Sequence, residues 1–437
     1  MFVPAVGDMV ARLDYGAWAM TVLADLLNSI FERTYKRVSD AEMFDQRPLR
    51  ELAQELVTTG SETRVLSLAR EILSRYRLLD GGGKVRFFKD IAQQLNLDPN
   101  RVRETLFEYE RSPSRRTYRA YADSAEPKRQ EFIRRLNQMP GATERLVKMR
   151  SDLLTLGTQD PHIDALDLDF LHLFSSWFNR GFLVLRPINW QSPAHILEKI
   201  IAYEAVHAIQ NWDDLRRRLE PTDRRCYAFF HPSMPDEPLI FVEIALTQGI
   251  PNSIQSVLSE DRTPLPPQEA DTAVFYSISN CQSGLSGVSF GNFLIKQVAA
   301  DLAVGMPNLS TFVTLSPIPG LSRWTEKNAM VPNDALSPSD VAAAYLLEAK
   351  NSAGHPLDPV ARFHLGNGAI IHAIHEGADT SDKGMAQSYG TMVNYLYDFD
   401  IVEKQHEMFF NKRIISATST VRAKADRVRK TITDERT

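Results

Sequence analysis

Only two of 437 residues are cysteine, Cys226 and Cys281. Two cysteines cannot form a disulfide framework, so the stability of this chain must come from packed cores. Both lie in or beside apolar strand-like runs, and a reducing cytoplasm is the natural setting for such thiols. The chain also lacks basic excess: 50 Lys and Arg stand against 55 Asp and Glu, a net charge of −5. That excludes the basic footprint of a nucleic-acid binder, and Arg216 to Arg218 reads as a solvated helix face. No apolar run reaches the roughly 18 residues of a spanning helix, so no membrane segment is expected. The opening MFVPAVGDMVARLD has an early Asp and no basic stretch, unlike a signal peptide. The final residues, DERT, are not the peroxisomal S-K-L address. GxGxxG, GxxxxGK[ST] and HExxH are absent too, which removes the local signatures of dinucleotide, P-loop and zincin sites.

With 437 residues, 43% hydrophobic and 24% charged, the chain has material for two or three domains. Its first 160 residues read as helical throughout. Ala17 to Phe31, Leu49 to Val57, Thr63 to Leu79, Phe87 to Leu95, Val102 to Tyr109, Glu126 to Leu136 and Thr143 to Leu156 carry helical apolar spacing. Turn signals divide them: Gly81-Gly82-Gly83, Asp98-Pro99-Asn100 and Ser112-Pro113-Ser114. No cluster of His, Cys or paired carboxylates occurs there, so a helical bundle for assembly or support is expected over residues 1–164.

From Asp164 the pattern is mixed. Leu166 to Phe178 predicts a helix and Gly181 to Leu185 a strand. Ser192 is expected to cap a helix with Pro193 at its first position. Arg225 to Phe230 and Leu239 to Leu246 predict strands. Thr272 to Ser279, a glycine loop with Gly284, Gly287 and Gly291, an apolar-periodic helix, and Leu309 to Ser316 form a βαβ unit. Its loop offers backbone N–H groups and a helix N-terminus to an anion. Pro338 to Lys350 predicts a helix capped by Ser337. Gly366-Asn367-Gly368 is a turn, Ala369 to Ile374 either strand or short helix, and Gly390 to Asp398 a final strand. Lys404 to Lys430 reads as one charged helix.

Three constellations could carry chemistry. His372-Ala-Ile-His375, followed by Glu376, is HxxH without a third ligand at metal spacing. Gly287-Val288-Ser289-Phe290-Gly291 matches GxSxG, but Asn280 to Ser286 makes too long a loop for a nucleophile elbow. Ser316 stands at a strand end before Pro-Ile-Pro-Gly, where stiff backbone can aim a side chain into a cleft, and His364 stands beside a turn.

The motifs YSIS, QSGLSGVSFGNFLIKQV, LSPIPG, FHLGNGA and NYLY, in this order and spacing, resemble the malonyl-CoA decarboxylase family. WFNRGFLVLRPINW, EAVHAIQNW, RRCYAFFHP and EPLIFVEIALT extend the resemblance upstream, so that it covers about residues 165 to 400. It implies an α+β protein: an N-terminal all-helical bundle, then a GNAT-like mixed α/β catalytic domain over 165–437 with a C-terminal helix. It implies conversion of malonyl-CoA to acetyl-CoA and carbon dioxide without a metal or organic cofactor, and a homodimer or homotetramer. LSPIPG carries the family's catalytic serine, which falls on Ser316, and FHLxNG its catalytic histidine, which falls on His364. Ser277, in YSIS, matches a further family serine. The coenzyme A loop falls on Ser286, Gly287, Val288, Ser289, Phe290, Gly291 and Asn292. Better-known members have Gln and Glu where this chain has Ser286 and Ser289, so a relay through a loop Glu does not carry over. Two other classes use the same features: an acetyltransferase acylating an amine, and a non-enzymatic acyl-CoA sensor.

Overall fold

A computed structural model describes residues 45–157, 160–288 and 294–434. The run Ala17 to Phe31 lies outside them. The chain divides into two compact units: one ends at Trp177 and includes Ser283–Gly287, and the other comprises Phe178–Gln282 and Val288 onward. The helix Pro161–Trp177 runs across the expected boundary at 164/165, so the helical unit is longer than the sequence suggests. Among the described residues no helix is long and apolar enough to cross a membrane.

The first unit is helical. Leu49–Thr58, Glu62–Arg77, Gly81–Gln94, Lys128–Leu136, Ala142–Leu156 and Pro161–Trp177 bury stripes that include Leu52, Leu68, Ile72, Phe88, Phe132, Leu146 and Phe170. Helical spacing of the apolar residues is what makes those stripes continuous. Gly81-Gly82-Gly83 is not a separating turn but the first turn of its helix. Asp80 caps it by accepting the Gly83 N–H, which offsets the low helix propensity of glycine. Asp98 caps the helix Pro99–Arg111 as expected. A buried Arg129–Asp169 pair at 2.6 Å ties two helices together.

The second unit is built on a mixed sheet. Its strands are β1 (Val184–Ile188), β2 (Arg224–Phe230), β3 (Ile240–Thr247), β4 (Thr272–Asn280), β5 (Thr311–Thr314), β6 (Ser316–Pro317), β7 (Ile370–His375) and β8 (Met392–Tyr397). The order is β1-β2-β3-β4-β5-β8-β6, with β7 also paired to β8. β4 and β5 are parallel neighbours, Phe275 opposite Thr314, with the helix Leu294–Gly305 between them in sequence; this is the expected βαβ unit. The other pairs are antiparallel. Cys226 and Cys281 are free and buried.

Four local expectations change. Arg180–Phe182 is a 3-10 turn held by Asn179, so the first strand starts at Val184. Ser192 does not cap: its hydroxyl accepts the Asn189 N–H, and the helix begins at Ala194 after Pro193. The run Leu309 to Ser316 is two strands, β5 and β6, separated at Leu315, whose N–H still donates to the Phe275 carbonyl of β4 at 3.1 Å. The C-terminal charged stretch is two helices, Val402–Lys412 and Ser419–Asp434, broken at Arg413 with φ +55°.

Candidate active site

Ser316 opens β6 opposite Val393 of β8. His364 lies on the helix Pro359–Gly366, whose N-terminus Asp358 caps by accepting the Ala361 N–H at 2.8 Å. Pro359 suits the first helical position, where its missing N–H leaves nothing unsatisfied. Helix and strand bring the two residues together across 48 positions: Ser316 Oγ is 3.3 Å from His364 Nε2. Both are buried, at 6% and 2% exposure.

The surrounding groups complete a chain. The Ser316 hydroxyl donates to Thr314 Oγ1 at 2.8 Å, and His364 Nδ1 is 2.8 Å from the Tyr397 hydroxyl. Tyr395 stacks on the imidazole. Asn394, next to Tyr395 on β8, donates from Nδ2 to the Thr314 carbonyl at 2.8 Å and receives His375 Nε2 at its Oδ1. Burial withdraws the His364 ring from water and pushes its pKa down to about 3, so it is neutral near pH 7.

Ser277 takes part in a second cluster. Its hydroxyl donates to the Glu204 carboxylate, 2.8 Å from Oε1 and 2.7 Å from Oε2. Ser279 donates to Oε2 at 3.2 Å, and the Val206 and His207 N–H groups each donate to Oε1 at 2.8 Å. Behind it, on β3, Glu243 faces Arg218 at 3.2 Å. Burial and the neighbouring Glu204 charge raise the Glu243 carboxyl to about 8.

Of the coenzyme A loop, Ser286, Gly287 and Val288 are described, while Ser289, Phe290, Gly291 and Asn292 lie outside the described residues. Arg150 Nη1 donates to the carbonyls of Gly284 and Ser286 at 2.9 and 2.7 Å. Gly287 has φ +82°, a left-handed conformation that favours glycine. Among the described residues no group of three or more His, Cys, Asp or Glu is placed to hold a metal. His375 instead bonds Asn394, and Glu376 accepts the Ser339 N–H at 3.2 Å.

The family model of the malonyl-CoA decarboxylase C-terminal domain matches residues 181–341 and 331–435, and that of the N-terminal domain residues 95–178. The chain belongs to the malonyl-CoA decarboxylase family. It is 34% identical over 348 residues to the mitochondrial malonyl-CoA decarboxylase of Anser anser anser, covering 68% of this chain and 69% of that one. The Rattus norvegicus protein of the same name is 34% identical over 351 residues, covering 68% and 70%. Among solved structures, malonyl-CoA decarboxylase from Rhodopseudomonas palustris superposes with a TM-score of 0.81 at 45% identity, covering 86% of this chain and 98% of that chain. The protein from Agrobacterium vitis gives 0.81 at 43% identity, covering 86% and 99%. A helical N-terminal region followed by a mixed sheet is thus the architecture of this malonyl-CoA decarboxylase family member, α+β as the sequence implies.

Several site neighbours escape a sequence reading. Thr314 stands two residues before Ser316, the strand spacing that shares a face, but a buried strand Thr commonly packs without a partner of this kind. Tyr395 and Tyr397 lie in NYLY and Glu204 in EAVH, both motifs of the resemblance without an assigned role. Arg150 sits in a stretch that reads only as helical support.

Proposed function

We propose that the protein decarboxylates malonyl-CoA to acetyl-CoA and carbon dioxide, with Ser316 and His364 as the proton-handling pair at the acyl end. The observation that carries this reading is the 3.3 Å approach of Ser316 Oγ to His364 Nε2 in a chain of this family. The bond from the α-carbon to the malonyl carboxylate breaks, and its electron pair enters the thioester as an enolate. Donors aimed at the enolate oxygen stabilise that charge, each by on the order of 10²–10³ in rate. The α-carbon then takes a proton through the pair, and one solvent proton restores it. A positioned acid contributes typically about 10²–10⁴.

Ser277, fixed by Glu204, is proposed to line the acyl site, with its lone pairs left to face the substrate. The amides of Ser286 to Asn292 are proposed to hold the coenzyme A pyrophosphate. No metal step is needed, and turnover in EDTA tests that: loss on chelation with recovery on one added metal would revive His372 and His375. Assembly as a homodimer or homotetramer is proposed and is read by light scattering. Two free, buried thiols suit residence in a reducing cytoplasm; recovery in an organelle on fractionation would overturn that.

The decisive experiment is incubation with malonyl-CoA alone while acetyl-CoA and carbon dioxide are followed. Release of both without an amine acceptor supports decarboxylation. Coenzyme A binding with no turnover would favour an acyl-CoA sensor, and product formed only with an amine would favour acyl transfer.

A further inference from the structure

Thr314 is fully buried at the end of β5, and β8 grips it at two atoms. Its carbonyl accepts from Asn394 Nδ2 at 2.8 Å, and its Oγ1 accepts from the Tyr395 N–H at 3.2 Å. The hydroxyl oxygen is therefore immobile, and it is this oxygen that takes the Ser316 proton at 2.8 Å. A serine hydroxyl has one proton. Given to Thr314, it is not available to His364 Nε2, 3.3 Å away on the other side. A neutral imidazole carries its proton on one nitrogen, chosen by what each nitrogen faces. Here Nε2 faces a serine oxygen whose proton points elsewhere, and Nδ1 faces the Tyr397 hydroxyl at 2.8 Å, which can donate.

We infer that Thr314 is a positioning residue for the decarboxylation: by accepting the Ser316 proton it holds His364 as the Nε2–H tautomer and gives the chain one direction, Tyr397 to His364 to Ser316 to Thr314. The inference rests on the Ser316–His364 reading above. Without the Thr314 oxygen, the Ser316 proton turns to His364 Nε2. The ring proton then moves to Nδ1 and Tyr397 becomes an acceptor. No N–H remains facing Ser316, so the pair loses the proton it would pass toward the acyl end.

Thr314→Val keeps the side-chain shape and removes the oxygen, Thr314→Ala removes it with a smaller side chain, and Thr314→Ser keeps it. Turnover is measured together with the ¹⁵N shifts of the His364 ring in the resting protein, assigned by loss of the signal in His364→Asn. The parent ring is expected as Nε2–H. In Thr314→Val or Thr314→Ala, whichever folds like the parent by circular dichroism, kcat should fall about 10–100-fold, the range for losing a partner that orients a metal ligand, taken here for one that orients the Ser–His pair. KM should hold near the parent value, and the ring should shift to Nδ1–H. Thr314→Ser should restore both kcat and tautomer. In a Ser316→Ala background, deleting the Thr314 oxygen should cause no further loss, because it acts only through Ser316. A parent ring found as Nδ1–H, an unchanged tautomer in the oxygen-less variants, or a loss persisting at full size in the Ser316→Ala background would overturn the inference. Parent-like turnover of Ser316→Ala would instead sink the Ser–His reading, whereas the resting tautomer bears on Thr314 alone.

Discussion

His364 stacks on Tyr395, ring centroids 4.5 Å apart and planes 23° apart. Phe363 and Tyr397 meet the same imidazole edge-on, at 5.1 and 6.1 Å. This aromatic enclosure excludes water from the ring, and among the described residues no carboxylate is bonded to the imidazole to replace an imidazolium's hydration. The neutral form wins, with the pKa pushed down to about 3. A neutral ring donates at one nitrogen and accepts at the other, which is what a proton-passing chain needs.

The pH dependence follows with a definite sign. His364 is protonated below about 6.5 in the unfolded chain but only below about 3 in the folded one. Its contribution to stability is present above pH 6.5 and is lost as pH falls through that window. His364→Asn should remove the loss, so that at pH 5 the parent has forfeited about 2 kcal/mol that the variant keeps. Urea midpoints of both proteins at pH 7 and pH 5 measure this. An equal acid sensitivity would contradict a buried, neutral ring. The kcat profile of the parent should correspondingly show no His364 ionisation near 6.5.

The pair itself makes a second prediction. Ser316→Ala and His364→Asn should each reduce kcat strongly while leaving coenzyme A binding near the parent value. If they act as one unit, the double substitution should be little worse than either single one, as for other catalytic groups that work together. Multiplying losses would indicate two independent roles.

Ser316 and His364 became candidates because LSPIPG and FHLGNG resemble motifs of the family; turn chemistry by itself reads them as an ordinary turn serine and a structural histidine. Their meeting was not legible, since it depends on β8 holding β6 while the helix Pro359–Gly366 lays His364 over Tyr395. The sheet was largely readable from β-branched runs, including the parallel pairing implied by strand, helix, strand. The failures have local causes. The left-handed backbone at Arg413 breaks a charge pattern that otherwise continues as helix. Asp80 turns three glycines that look like a linker into a helix start. Asp358 reads as an ordinary Asp-Pro helix entry, and nothing in its neighbours announces that the carboxyl is wholly buried.

That burial is testable. It pushes the Asp358 carboxyl up from 3.8 to about 6, although the Ala361 N–H bond pulls the other way. Protonated Asp358 therefore contributes stability that is complete below about pH 4 and lost as pH rises through about 6. Asp358→Asn keeps a side-chain oxygen for the cap and removes the ionisation. Relative to the parent, the variant should gain up to about 3 kcal/mol between pH 4 and pH 7. A stability difference that does not change with pH would show that the carboxylate is adequately solvated.

Arg150 gives the last prediction, on the start of the proposed coenzyme A loop. It is buried on the helix Ala142–Leu156, and its Nε donates to Asp167 at 2.7 Å while Nη1 holds the Gly284 and Ser286 carbonyls. Gly284 is pressed so closely on this helix that a Cβ there would lie 1.9 Å from the Val147 carbonyl oxygen. Arg150→Met keeps the apolar stem and removes the donors, leaving two carbonyls and a carboxylate unmatched, at a cost of about 1–3 kcal/mol. Arg150→Lys should not rescue, because one ammonium cannot reproduce the planar fork. Gly284→Ala should act in the same direction by forcing loop and helix apart. If the loop holds coenzyme A, both Arg150→Met and Gly284→Ala should raise its dissociation constant by calorimetry, and raise KM for malonyl-CoA. At saturating substrate kcat should stay near the parent value, the opposite of Ser316→Ala. Parent-like coenzyme A binding in an Arg150→Met protein that is measurably destabilised would mean that this anchor serves the fold alone and that coenzyme A is held elsewhere.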